Sequence, residues 1–406
     1  MELVKEDCHE TEFGNIPTQW SYDRLEYHSK RGSGHTPDKK RPEYYDGSIV
    51  WVSLADSNKL DNGKLNSSLI TISKLGIANS SAVLHPRGIV LLSRDAGVGK
   101  SAVADCDLCV SQHFITWQCN ERTLHNWFLY YWLQFQKAEF ERVAAGSTIK
   151  TIGLPYFKLY KLPLPPYKEQ IVIATALSDT DALINSLEKL LVKKRNIKQG
   201  AMQKLLQRKE SWEVKKLGEV LQIFKGKALS KGKLTENGRF RCILYGELFT
   251  TYKEVIHDVI SSTNVAEGEL SVDGDILFPG STTTTGIDLA KASAITLNDV
   301  LLGGDIIILR RLKYNYNSIY LSYYLNQVKK NQIAQTTKGI TIHHLYGKDL
   351  SGIEASFPEI EEQTKIAKVL SDMDAELEAL ERKLEKYRNI KAGMMQNLLI
   401  GKIRLV

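Results

Sequence analysis

The chain repeats itself. Glu169–Leu206 lies over Glu362–Leu399 at a shift of 193, with about 22 of 38 positions identical, Arg195-Asn196-Ile197-Lys198 over Arg388-Asn389-Ile390-Lys391 among them. The register persists upstream, with Gly146 on Gly339, Thr148 on Thr341 and Ile149 on Ile342. Trp20-x4-Leu25 matches Trp212-x4-Leu217 at a shift of 192. Such a period is far longer than a solenoid repeat of roughly 20–45 residues, so it reads as a duplicated domain. Each copy is a divergent segment of about 140 residues followed by a similar segment of about 40.

The similar segments read as helices. In the second copy Ile366, Leu370, Met373, Leu377, Leu380, Leu384, Tyr387, Met394 and Leu398 advance by threes and fours, with one longer step across Lys391. That is a heptad seam. Ile173, Leu177, Ile184, Leu187, Leu191 and Leu205 hold the same phase in the first copy, and Lys198 interrupts it at the equivalent place. Pro165-Pro166 and Pro358 suit an extended entry to each helix. A helix of about 40 residues spans about 60 Å, and with a narrow apolar stripe it needs a partner. Each helix could lie on its own domain, but the matched heptads favour pairing with each other. If antiparallel, the pair would place the divergent segments at opposite ends of a rod, related by a pseudo-two-fold axis.

The divergent segments read as mixed α/β. Ser48–Leu54, Gly88–Ser93, His113–Trp117, Asp275–Gly280 and Asp305–Arg311 have strand composition between turn residues. Thr123–Ala144 and Tyr316–Gln335 read as aromatic-rich helices, each shortly before a glycine turn. The expected class is therefore α/β: mixed α/β domains at 13–160 and 210–353, with long helices at 161–209 and 354–406 forming an antiparallel coiled coil.

No apolar run approaches the roughly 18 residues of a membrane span. The N-terminal segment has acidic residues where a signal peptide needs a basic start, and five cysteines make no disulfide framework. A cytoplasmic protein with no membrane association is expected. The net charge of +7 permits a nucleic-acid partner without requiring one.

Four local motifs do not carry the chemistry they suggest. Gly97-Val98-Gly99-Lys100-Ser101 looks like the end of a phosphate-binding loop, but Arg94 stands where that pattern needs glycine, and strands rather than a helix flank it. A glycine turn between strands fits better, with Arg94 and Lys100 flanking it within reach of phosphates. Cys106 and Cys109 fall in strand-like sequence, where they would face opposite sides, and no second close pair completes a zinc site. Leu164-Pro165-Pro166-Tyr167 lacks the Asp or Asn with which adenine methyltransferases hold the target amino group. His343-His344 reads as a solvated polar turn. No catalytic, cofactor or metal site is expected in this chain.

The basic stretches are more informative. Trp20–Gly47 and Phe224–Arg241 each carry six lysines or arginines among small, polar and aromatic residues, in corresponding places of the two copies. Loops of this kind hold phosphates and offer donors to base edges. The candidate DNA contacts are Arg31, His35, Lys39, Lys40, Arg41, Arg94 and Lys100 in the first copy, and Lys225, Lys227, Lys231, Lys233 and Arg239 in the second.

The order of landmarks is W-x4-L, a divergent domain, a G-x-T-I turn, PLPPYKEQIVIATALSDTD, then KKRNIKQGAMQKLL, and all of it again with small variations. From Phe13 to Val406 this resembles the specificity subunit of a type I restriction-modification enzyme. The second copy departs at Ser356-Phe-Pro-Glu-Ile360, and the first lacks the Gly-Glu of Gly218-Glu219. The resemblance implies two target-recognition domains, each reading one half of a bipartite double-stranded DNA site, and two spacer helices that set the gap. It implies two modification subunits that methylate adenine with S-adenosylmethionine, and restriction subunits that use ATP and Mg, with no cofactor in this chain. Arg195, Asn196, Lys198, Arg388, Asn389 and Lys391 are then candidate docking residues for those partners. Two alternatives stand beside this reading: a related system with fused modification and nuclease activities, and a stand-alone bivalent DNA-binding protein.

Overall fold

The computed structural model describes residues 8–146, 150–227 and 229–405, so Thr148 and Ile149 of the first glycine turn lie outside the described residues. The chain divides into two compact units, residues 1–188 with 383–406 and residues 189–382.

In unit 1, strands β1 (Ser29–Ser33), β2 (Val90–Ser93), β3 (Ser101–Ala104) and β4 (Phe114–Cys119) form a sheet in the order β1-β4-β2-β3, each neighbour antiparallel. Lys64–Leu65 adds a parallel edge beside β3. The strands β2 and β3 are buried throughout because both faces are covered. Val90, Leu92, Val103 and Ile115 face the core under helix α1 (Asn126–Phe135), while Leu91, Ala102, Ala104 and Phe114 face a second core. A smaller sheet holds Tyr45–Val52 between Leu108–Val110, parallel to it, and Ile70–Ile72, antiparallel. Cys109 packs with Trp51 and Ile72 while Cys106 packs on the other core, so the two thiols face apart.

Unit 2 repeats this plan. Strands β5 (Leu221–Lys225), β6 (Ile276–Pro279), β7 (Ser293–Ile295) and β8 (Ile306–Arg311) run in the order β5-β8-β6-β7, again with antiparallel neighbours and a parallel edge at Val255–Ile256. Phe240–Ile243 lies between Leu301–Leu302, parallel, and Ser262–Thr263, antiparallel. Helix α3 (Ser318–Gln327) takes the place of α1. Both aromatic segments expected as single helices are broken, the first at Gln136 and the second at Val328–Lys329, with short helices Lys137–Val143 and Lys330–Gln335 following. The five segments expected as strands are strands.

Two helices of 39 residues, α2 (Tyr167–Leu205) and α4 (Ile360–Leu398), complete the units. Within unit 1 the first half of α2 runs antiparallel to the last part of α4, shown by Lys391–Asp181 at 2.6 Å and Arg388–Glu188 at 2.6 Å. Within unit 2, Lys198–Asp374 at 2.5 Å, Arg195–Glu381 at 2.6 Å and Lys209–Glu362 at 2.6 Å give the same antiparallel sense. Ile173, Leu177, Ile184 and Leu187 are buried in unit 1, and Leu191, Met202, Ile366, Leu370 and Leu377 in unit 2. Most seam residues are thus buried, while Leu205, Met373, Leu380, Tyr387 and Met394 are half-buried.

The helix starts explain the shared Glu-Gln pair. Gln170 is fully buried; its amide donates to the carbonyls of Pro165 and Thr123, and its carbonyl accepts from the amide of His125 at the head of α1. Gln363 donates to Pro358 and accepts from Asn317 at the head of α3. One residue therefore joins the proline entry, the long helix and the aromatic helix in each unit. Glu169 accepts from the Trp20 indole at 3.2 Å and from Arg404 at 2.6 Å, tying the first landmark tryptophan to this corner.

Candidate nucleic-acid interface

Within each basic stretch the chain leaves the main sheet and crosses the smaller one. The crossing needs glycine in both units. A Cβ on Gly34 would meet the Val110 carbonyl oxygen at 1.7 Å, and one on Gly226 would meet that of Gly303 at 2.0 Å. Beside it, the buried His85 ring packs on Gly32 and contacts the Ser33 carbonyl at 3.1 Å; burial lowers its pKa, partly opposed by that contact.

Three segments then meet in each unit. In unit 1 they are the basic stretch, the loop Arg94–Gly99 and the strand-like residues after the glycine turn. Asp95 anchors the meeting: its carboxylate accepts from the Thr151 hydroxyl and contacts His113 Nδ1 at 2.8 Å. Arg31 reaches the Leu154 carbonyl at 3.5 Å, and Thr36 donates to Gln112 at 2.7 Å. Lys39, Lys40 and Arg41 are exposed on the following loop, Arg41 with a loose pairing to Glu43 at 3.8 Å.

The Gly97–Gly99 turn joins antiparallel β2 and β3, so it is a hairpin and not the strand–loop–helix of a nucleotide site. Arg94 donates to the carbonyls of Gln112 and Ile152, at 3.2 and 3.4 Å, and Lys100 donates to the Ser57 carbonyl at 3.0 Å. Both cations, expected among the phosphate contacts, are engaged in holding their own loop. Among the candidate contact cations of unit 1, Lys39, Lys40 and Arg41 are the exposed ones, while Arg31, Arg94 and Lys100 are half-buried.

In unit 2 the corresponding segments are Lys225–Arg239, the threonine row Ser281–Thr285 and the turn Lys338–His344. Asp305 anchors them, accepting from the Ser281 hydroxyl and pairing with Lys225 at 3.5 Å. Ser281 and Thr282 pair in antiparallel register with His344 and His343. These histidines, expected in a loose polar turn, form a short strand. Lys227 follows Gly226 along the crossing, with its amide on the Leu302 carbonyl at 3.1 Å. Lys231 and Lys233 lie in a 3-10 turn, and Arg239 stacks its guanidinium 5.4 Å from the Phe240 ring. Lys227, Lys231, Lys233 and Arg239 are exposed, and none has an ion pair among the described residues.

Sequence reasoning did not single out Thr36, Gln112 or the row Thr282–Thr285. The alignment of Gly146 with Gly339 was the available signal, since it marks the turn against which these loops close.

The helix pair holds a second repeated constellation. In unit 2, Asp374 accepts from Lys198 and from the Tyr323 hydroxyl, each at 2.5 Å, with the Lys198 ammonium 5.4 Å from the Tyr323 ring. In unit 1, Asp181 accepts from Lys391 at 2.6 Å and from Tyr131 at 3.0 Å, with Lys391 5.7 Å from the Tyr131 ring. Burial first, and then the neighbouring aspartate, push both phenols well above their usual range. The lysines that interrupt each seam are thus clamped across it, while Arg195 and Arg388 pair with carboxylates at the exposed rim and Asn196 and Asn389 are exposed. A groove of about 920 Å³ beside Lys198, lined also by Lys291, Lys330 and Asp288, opens next to this clamp in unit 2.

Among the described residues no group of three or more His, Cys, Asp or Glu could hold a metal ion, and no helix is long and apolar enough to cross a membrane.

The model of the type I restriction modification DNA specificity domain matches residues 27–197 and again residues 209–386. Two specificity subunits from Methanocaldococcus jannaschii, of the type I enzymes MjaX (putative) and MjaVIII, are each 24% identical to this chain; the alignments cover 99% and 100% of it and 97% and 98% of the relatives. The fold is shared with the S subunit of a type I restriction-modification system from M. genitalium, at a TM-score of 0.61 and 17% identity over 94% of this chain and 96% of the other. A chain solved in a study of type I complex assembly gives 0.53 and 16% over 96% and 99%. Two matches to one family model, together spanning most of the chain, place this protein in the type I restriction-modification specificity family, with the family's domain present twice.

Proposed function

We propose that this chain is the DNA-specificity subunit of a type I restriction-modification complex, reading a bipartite double-stranded site with one half-site per reading domain. The observation that carries this is the pair of basic faces: two domains of one topology, each closing a glycine-led basic stretch against a loop and a turn, with different exposed side chains. Two readers of one fold and unlike surface suit two unlike half-sites.

In this reading Arg31, His35, Lys39, Lys40 and Arg41 serve the first half-site, and Lys225, Lys227, Lys231, Lys233 and Arg239 the second. Arg94 and Lys100 shape the loop beside the first. Phosphate contacts set the position and base-edge contacts set the sequence. The domains at 13–160 and 210–353 read, and the helices at 161–209 and 354–406 set the gap and carry two modification subunits. Arg195, Asn196, Arg388 and Asn389 offer those subunits two equivalent exposed patches, held in place from beneath by Lys198 and Lys391. Adenine methylation with S-adenosylmethionine, and ATP- and Mg-dependent translocation and cleavage, belong to the partner subunits, and the complex works in the cytoplasm.

Purification of the tagged chain from its native cell tests the proposal. A methyltransferase subunit should co-purify, and the chain stripped of it should neither methylate DNA nor hydrolyse ATP. Recovery of a DNA-binding protein with no methyltransferase would favour the stand-alone bivalent reading instead.

A further inference from the structure

The turn Lys338–His344 is rigid in a way that an idle surface loop is not. The amide of Lys338 donates to the His344 carbonyl at 2.9 Å, and that of His344 returns to Lys338 at 2.7 Å. Leu345 donates to the Gly280 carbonyl at 2.9 Å, and His343 and His344 pair with Thr282 and Ser281. Gly339 has φ +118°, and a Cβ there would lie 1.9 Å from the Ile342 carbonyl oxygen, so the turn closes only around glycine.

At the tip of this pinned turn stands Ile340, 96% exposed. A single exposed isoleucine is ordinary on a surface. Three facts set this one apart. Its turn is the landmark shared by the two copies, Gly-x-Thr-Ile, and Ile340 occupies the variable place, where the first copy has Ser147. The turn that carries it pairs through His343 and His344 with Thr282 and Ser281, and Ser281 donates to Asp305, which pairs with Lys225 of the basic stretch. Its frame is fixed by backbone hydrogen bonds, so little conformational freedom is given up when it is applied to a partner.

We propose that Ile340 is a specificity-determining residue of the second half-site, packing against the 5-methyl group of a thymine in the major groove. That methyl is the one apolar feature a base pair presents there, and a β-branched apolar tip complements it. Lys225 and Lys227 hold the adjacent phosphates, and the Thr282–Thr285 hydroxyls flank the contact. The proposal rests on the reading of unit 2 as a half-site reader.

The test uses the complex with its modification subunit. Methylated adenines are mapped in cells carrying the wild-type chain or I340S, the exchange for the residue of the other copy. The expected result is a wild-type second half-site containing a thymine whose preference is relaxed in I340S, with the first half-site unchanged. On an oligonucleotide of the mapped site, replacing that thymine by uracil removes only the methyl. It should weaken wild-type binding by about three- to tenfold, as expected for one buried methyl-sized group, and leave I340S unaffected. At this exposure the substitution does not touch the core, so equal melting temperatures are expected for the two chains. A second half-site without thymine, or an I340S map identical to wild type, overturns the inference while leaving the two-reader proposal intact. A wild-type chain that directs methylation to no bipartite site removes that proposal itself.

Discussion

The helix pair and the basic faces are both present twice, and they repeat in opposite ways. In the helix pair the side chains recur: Tyr131, Asp181 and Lys391 in unit 1 make the same clamp as Tyr323, Asp374 and Lys198 in unit 2. In the reading domains the backbone recurs and the side chains do not. Gly34 and Gly226 make the same crossing, and Asp95 and Asp305 anchor the same meeting of loops, but Arg94 and His113 surround one anchor while a threonine row and Lys225 surround the other. Side chains held constant in both copies suit a partner that is the same twice. Backbone held constant under changing side chains suits targets that differ.

The clamps are where the comparison breaks most heavily. Asp374 and Lys198 are 17% and 13% exposed, against 27% for Asp181 and 24% for Lys391. D374A strands a mostly buried ammonium and a buried phenol, at a cost of roughly 2–4 kcal/mol. D181A should cost less, because water reaches its partners. Urea denaturation of the two variants measures both, and an equal or reversed order would show that the clamps are not ranked by burial. K198A combined with D374A should cost less than the sum of the two, as expected for directly coupled residues.

The basic faces come next. Replacing Arg31, Lys39, Lys40 and Arg41 by alanine should reduce the salt dependence of specific binding by roughly one unit of log–log slope for each phosphate that is no longer neutralised. Binding titrations at several salt concentrations give that slope. An unchanged slope would put the DNA-facing surface of unit 1 elsewhere.

The smallest effect concerns acid. Burial holds His85 and His125 below the usual histidine pKa of 6.5, and both belong to unit 1. The unfolded chain therefore takes up these protons first as the pH falls. The stability that the neutral rings contribute is complete above 6.5 and is lost progressively below it. At the place of His125 the second copy has Asn317, whose amide is likewise held by the long-helix glutamine. Melting temperatures from about pH 7.5 to about pH 5.5 should fall less for H125N than for the wild-type chain; identical curves would mean that His125 is protonated without cost.

Much of the fold was legible because the repeat and the heptads are local patterns. The side chains of the seam face inward as their spacing requires, and the strand segments needed only composition and turns. What the sequence concealed were partners distant in the chain. Lys198 reads as a flaw in a seam, since its aspartate lies 176 residues away. Gly34 reads as part of a pliant basic loop, whereas its purpose is to pass a carbonyl on another strand. Arg94 reads as a free cation, yet its donors meet carbonyls brought to it by the fold. Tyr131 and Tyr323 read as core aromatics, and nothing in their helices announces the aspartate each one meets.

On the proposed function, each domain reads its own half-site. Exchanging residues 13–155 for the matching segment of another such subunit, then mapping methylated adenines in cells that also carry the modification subunit, tests it most directly. One half-site should change while the other half-site and the gap stay as they were. A map in which both half-sites change would contradict it.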